Sequence, residues 1–129
     1  YIYTTALPPA VASASRVSLK ILQQETWRRE KLKHLINYFR EGAKSLDINL
    51  MESLTPIQPV LLYDDNLVMK VANRLINNGF LVGAIRPPTV PINTSRLRIT
   101  ISAKHEENDI DALLESLSSI IRDMRTIIE

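Results

Sequence analysis

Residues 84–102 read AIRPPTVPINTSRLRITIS, and the last seven of them, Arg96 to Ser102, decide how the chain folds. Apolar Leu97, Ile99 and Ile101 alternate with Arg96, Arg98, Thr100 and Ser102. Successive side chains of a strand point to opposite faces, so this alternation predicts a strand with one buried and one open face. The two arginines fall on the open face, roughly 6.6–6.8 Å apart along the chain. Arg86 opens the preceding loop, which carries Pro87, Pro88 and Pro91. Proline fixes φ and removes a donor, so the loop is expected to be stiff. Arginines around a stiff turn can pre-organise an anion site, because a guanidinium grips a carboxylate through paired hydrogen bonds. The same residues also suit a plain solvated sheet face, and spacing alone leaves both readings open.

Outward from this strand the chain alternates helices and short extended runs. Upstream, FLVGAI predicts a buried strand. Before it, Leu67, Val68, Val71, Ala72, Leu75 and Ile76 recur at helical spacing, predicting a helix over 66–78. Asp64 and Asp65 suit its N-cap, and Asn78-Gly79 its stop. IQPVLLYD is a further strand, which Pro59 confines to an edge, a strand start or a bulge. The stretch 45–56 predicts a turn and a short strand. Helices are expected over 9–23 and 25–44, with a break in the polar QQETWRREK. Val11, Ala14, Val17, Ile21 and Leu22 make the first stripe, and Leu32, Leu35, Ile36, Phe39 and Ala43 the second. A last helix over 107–127 carries Ile110, Leu113, Leu114, Leu117, Ile120, Ile121 and Met124 on one face, acidic residues at its start and Arg122 and Arg125 near its end. The expected architecture is α+β: a few-stranded, mostly antiparallel sheet with helices on one face.

Composition narrows the function. The chain has 129 residues, 45% of them hydrophobic and 23% charged, with a net charge of +2. Sixteen basic against fourteen acidic residues leave no nucleic-acid footprint. With no cysteine there is no disulfide, thiol nucleophile or cysteine metal site. No run approaches the roughly 18 apolar residues of a membrane span. The opening YIYTT reads as a short strand, and its start suggests a piece of a longer protein. Within YTTALPP, Thr4 and Thr5 precede a proline-started helix. They can serve as strand or cap residues, or join the helix end in holding a phosphate. His34 and His105 match no ligand spacing and read as surface residues. With three glycines there is no glycine-rich phosphate loop. Trp27, alone in polar sequence, reads as packing on a neighbour.

YTTALPPA together with IRPPTVP, TSRLRIT and SAKH resembles the C-terminal part of the α-oxoamine synthases, over the whole chain. IRPPTVP after ALPPA points within that family to the 8-amino-7-oxononanoate synthases. The resemblance implies pyridoxal phosphate as cofactor and the small C-terminal domain of the aspartate-aminotransferase-like fold (fold type I). It implies that 1–8 belong to the edge of a large domain, that 9–44 form connecting helices, and that 45–129 form the small domain. It implies a decarboxylative condensation of L-alanine with a pimeloyl thioester, carried on CoA or acyl carrier protein, in biotin synthesis. It further implies a cytoplasmic homodimer without nucleic-acid or membrane partners.

Residue by residue, the resemblance assigns Arg98 to the amino-acid carboxylate, Arg86 and Thr89 to substrate contacts from the loop, and Arg96 to a supporting role. It assigns Thr4 and Thr5 to the cofactor phosphate of a neighbouring subunit. Asn93 stands where the family pattern has glycine, and asparagine is the residue that best replaces glycine at positive φ. None of Lys20, Lys31, Lys33, Lys44, Lys70 and Lys104 is followed by the small residues that follow the family's Schiff-base lysine. That lysine is therefore expected upstream, leaving no catalytic residue here and the chain alone inactive and without cofactor. Two alternatives stay open: another α-oxoamine synthase of the 2-amino-3-ketobutyrate CoA ligase or 5-aminolevulinate synthase type, and a stand-alone module binding carboxylates or acyl carriers.

Overall fold

A computed structural model of the chain describes residues 2–126. Four helices and three strands follow in the order α1 (Pro9–Gln24), α2 (Trp27–Ser45), β1 (Ile57–Tyr63), α3 (Asp65–Asn77), β2 (Gly83–Ile85), β3 (Ser95–Thr100) and α4 (Glu107–Thr126). The sheet order is β1-β3-β2, and both pairings are antiparallel. Arg98 lies opposite Pro59 on one side and Gly83 on the other, and Arg96 opposite Leu61 and Ile85.

The alternation in β3 is realised as expected. Leu97, Ile99 and Ile101 are buried, whereas Arg98 and Thr100 are exposed. Helix α3 lies across all three strands, and α4 packs on α3 and α2. The core joins Leu97 and Ile99 to Val60, to Val68, Val71 and Leu75 of α3, to Leu114 and Leu117 of α4, and to Leu35 and Phe39 of α2. Along the α2–α4 seam, Lys31 pairs with Glu106, His34 with Glu107, and the Tyr38 hydroxyl donates to Asp111 at 2.9 Å. That hydrogen bond, then burial and nearby carboxylate charge, raises the Tyr38 phenol above its ordinary pKa.

Local chemistry explains the ends of the elements. Asp64 caps α3 by accepting from the Leu67 N–H at 2.7 Å. At the other end Phe80 N–H bonds to the Leu75 carbonyl and Gly79 N–H to that of Ile76, with Gly79 at φ 91°. This is a Schellman stop, and the left-handed residue it needs is the glycine. Pro59 sits in edge strand β1, with its carbonyl accepting from Met51 N–H. In an antiparallel strand one residue's N–H and C=O point to the same side, so its missing N–H removes no bond to β3. The register of β1 shifts between Leu61 and Tyr63.

Five expectations are corrected. Ile2 and Tyr3 form an exposed turn, since no described strand pairs with them. The strand expected in 45–56 is a single bridge, Leu50 to Val60. FLVGAI pairs only over Gly83–Ile85, and Leu81 is 90% exposed, because the Schellman stop still directs the chain before it reaches β3. Helix α1 forms but buries no residue, and Val11, Val17, Ile21 and Leu22 all face solvent. Ile76, on the rim of the α3 stripe, is likewise exposed. Tyr1, Ile127 and the Arg125 side chain lie outside what the structure describes.

Phe39 of α2 is fully buried in the hydrophobic core. Phe39→Ala should therefore lower the unfolding free energy by about 3–5 kcal/mol, read as a reduced urea midpoint at unchanged m-value.

Candidate anion-binding face

β3 holds its two arginines differently. Arg96 is half-buried; its Nε donates to the Thr94 carbonyl at 2.9 Å and its Nη1 lies 2.8 Å from Met51 Sδ. Its head is thus tied to the loop below and to the segment beside β1. Arg98 is exposed, and its side chain has neither a hydrogen bond nor an ion pair among the described residues. Around it the open face is apolar or small: Ile57, Pro59, Leu61, Gly83 and Ile85. No acidic residue stands on that face of the paired strands, so nothing there competes for the guanidinium.

The proline loop brings Arg86 and Thr89 together. Thr89 N–H donates to the Arg86 carbonyl at 3.1 Å, closing a turn over Pro87 and Pro88, whose mutual peptide bond is cis. Arg86 and Thr89 are both exposed. Arg86 follows Ile85, the last residue of β2, and so stands beyond the strand end on the side of the paired Arg96. Asn93 adopts φ 61°, which is the left-handed conformation expected of a glycine substitute. Thr94 Oγ1 then donates to the Pro91 carbonyl at 2.6 Å, and Ser95, fully buried, donates to Asp65 of α3. These bonds anchor the loop to the helix layer.

Thr4 and Thr5 lie elsewhere, exposed in the lead-in to α1. The first turn of α1 has no acidic residue and no side-chain cap. Two hydroxyls beside a helix start free of carboxylates are a donor set that suits a phosphate. The remaining candidates resolve into structural roles. Asp64 is a cap, and Asp65 accepts from Ser95. His105 accepts the Ser102 N–H through Nδ1, ahead of α4, and His34 pairs with Glu107. Trp27 lies under the Arg28 guanidinium, 4.7 Å from the ring centre. Among the described residues no cluster of His, Cys, Asp or Glu could hold a metal. A hollow of about 610 Å³, lined among others by Arg40, Glu41, Lys44 and Asp47, lies at the end of α2 and is separate from the arginine face.

Sequence reasoning passed over Gly83. The three heavy atoms nearest to a Cβ built there all belong to Arg98: its Cβ at 3.5 Å, its Nε at 3.6 Å and its carbonyl oxygen at 3.7 Å. The Arg98 side chain therefore lies across β2 at this position. The available signal was a glycine inside a strand, which often marks a close approach.

A two-layer α+β unit with an arginine-bearing open face and a proline-stiffened loop defines a class. The model of the family aminotransferase class I and II matches residues 1–117, and the chain belongs to this family. It is 52% identical over 124 residues to an 8-amino-7-oxononanoate synthase of Saccharophagus degradans, a match covering 96% of this chain and 31% of that protein. It is 53% identical over 117 residues to the synthase of that name from Hahella chejuensis, covering 91% and 30%. The chain thus spans about a third of the length of these relatives. The crystal structure of 8-amino-7-oxononanoate synthase from Francisella tularensis superimposes with a TM-score of 0.82 at 29% identity, covering 95% of this chain and 36% of that one. Serine palmitoyltransferase from S. paucimobilis, solved with PLP and myriocin bound, gives 0.86 at 27% identity, covering 96% and 32%. The fold is that of the aspartate-aminotransferase-like class (fold type I), as the resemblance implied.

Asn93 makes the loop's backbone testable. Asn93→Gly should leave the melting temperature within a degree or two, whereas Asn93→Ala should cost about 1 kcal/mol, since alanine has no side-chain compensation for a left-handed backbone. Thermal unfolding of the two variants followed by circular dichroism reads the difference.

Proposed function

We propose that this chain is the C-terminal part of an 8-amino-7-oxononanoate synthase, which condenses L-alanine with a pimeloyl thioester and releases carbon dioxide in biotin synthesis. The observation that carries the reading is Arg98: an exposed guanidinium with no partner, on a face without acids. Sequence similarity supports this relative, with 52% identity over 124 residues to the Saccharophagus degradans synthase. By superposition the Francisella tularensis synthase and serine palmitoyltransferase stand at similar distances, 29% and 27% identity, so the fold alone favours neither.

In the proposed enzyme Arg98 binds the carboxylate of L-alanine through two parallel hydrogen bonds. That fixes the amino acid's orientation and neutralises the group that is later lost. Arg86 adds a second positive charge from the loop, and Thr89 a hydroxyl contact, both held by the turn that joins them. Arg96, tied to Thr94 and Met51, supports the strand and leaves the substrate to Arg98. Thr4 and Thr5 hold the phosphate of pyridoxal phosphate bound to a neighbouring subunit. When bound, the cofactor supplies the electron sink for a carbanion at the amino acid's α-carbon. The Schiff-base lysine belongs to the large domain upstream, so the 129 residues alone are inactive. Residues 1–8 belong to the edge of that domain, 9–44 connect, and 45–129 form the small domain. The whole enzyme works as a cytoplasmic homodimer, with CoA or acyl carrier protein bearing the acyl group.

The test is kinetic, in the longer protein that carries this chain. Arg98→Ala should lower kcat/KM for L-alanine by about 2–3 kcal/mol, roughly 30- to 150-fold, the worth of a charged hydrogen-bonded pair. The KM for the pimeloyl thioester should stay within about twofold. An unchanged KM for L-alanine would overturn the assignment.

A further inference from the structure

The space over Gly83 has a use that its backbone does not explain. A positive φ favours glycine, but among the described glycines only Gly79 has one. Gly83 opens β2 in ordinary strand conformation, paired with Arg98. There a β-branched residue would favour the strand, and glycine weakens it by adding chain entropy and leaving nothing to pack. What glycine does offer here is open space beyond its Cα, and the three heavy atoms nearest to a Cβ built there all belong to Arg98.

We infer that Gly83 is a positioning residue for the carboxylate-binding Arg98, its bare Cα forming the groove across which the arginine side chain lies. The inference rests on the reading of Arg98 as the carboxylate ligand. Gly83 lies directly opposite Arg98, on the same open face. In such pairs the facing side chains normally stand side by side. Here one partner has no side chain, so the other bends over it, with Nε 3.6 Å from where a Cβ would be. This places the stem against a rigid backbone and restricts a side chain that otherwise has many rotamers. Less rotamer freedom then remains to be lost when the carboxylate binds. On the opposite flank Arg98 meets Pro59, a second residue with a short, fixed side chain. The arginine is thus the only long side chain in its cross-strand row, Pro59–Arg98–Gly83.

Geometry sets the graded response. A methyl at position 83 meets Arg98 at 3.5–3.6 Å, an ordinary contact. The γ-carbons of valine extend about 1.5 Å further and enter the volume held by the arginine stem. Gly83→Val should therefore raise the KM for L-alanine at least tenfold in the longer enzyme, with the KM for the acyl thioester within twofold. Gly83→Ala should raise it two- to threefold. In an Arg98→Ala background Gly83→Val should add nothing, because it acts through the arginine. In the 129-residue chain, the Nε–H resonance of Arg98, identified by its loss in Arg98→Lys, should move in Gly83→Val and move less in Gly83→Ala. Equal KM values for Gly83→Val and the parent, a KM increase that persists in the Arg98→Ala background, or an unmoved Nε–H resonance would each overturn the inference. If Gly83→Val does not fold, the Gly83→Ala shift and its disappearance with Arg98→Ala decide the matter. An Arg98→Ala enzyme with an unchanged KM for L-alanine would instead remove the underlying assignment, so the two failures are distinguishable.

Discussion

The two-faced β3 is the constraint on which the rest of this structure depends. Among the described strands it alone has a neighbour on each side, and its side chains alternate without interruption from Ser95 to Thr100. A register slip of one residue would send Arg96 and Arg98 into the helix layer and Leu97 and Ile99 into water. Burying each apolar side chain is worth about 1.5–3 kcal/mol, and an unpaired guanidinium in the core would cost several more. The register is therefore strongly fixed. Once it is, the arginine face follows from core packing without further specification.

The same packing separates the fates of two arginines that sequence presents as equivalents. At the level of Arg96 the chain has the Thr94 carbonyl below and Met51 beside, reached because Met51 N–H bonds the carbonyl of Pro59 in the adjacent edge strand. Two positions on, at Arg98, the flanking residues are Pro59 and Gly83, and neither carries an acceptor side chain. One arginine is tied into the frame, while the other's guanidinium has no partner among the described residues. The loop between β2 and β3 is held with similar economy: Ser95 ties its end to Asp65 of the helix layer.

What could be seen in sequence followed the strength of the local periodicity. The alternation of β3, the stripes of α2 and α4, the Asp64 cap and the Gly79 stop are each written within a few residues, and each is realised. Asn93 in the left-handed region was legible for the same reason, since one residue carries its own conformational preference. The failures all depend on a partner. Strand formation at Ile2 and Tyr3 needs a neighbouring strand, burial of Val17 and Ile21 needs a facing surface, and pairing at Leu81 needs β3 to extend to meet it. The role of Gly83 was hidden more deeply, because it depends on the residue across the sheet, fifteen positions away in sequence, and on the way its side chain bends.

The exposure of Arg98 also bears on whether such a face can work alone. Opposite charges 4 Å apart attract by about 1 kcal/mol in water and about 4 kcal/mol at the effective dielectric near a protein surface. An exposed pair, after side-chain ordering and screening by salt, is worth about 0–1 kcal/mol. On an open sheet face Arg98 is therefore a weak ligand for a free carboxylate, whatever its geometry. Its affinity rises only when a second wall covers the face and displaces water. The apolar neighbours Ile57, Pro59, Leu61 and Ile85 are the residues such a wall would meet. With an exposed guanidinium, apolar neighbours and no second wall among the described residues, the open face of β3 by itself holds a free carboxylate only weakly.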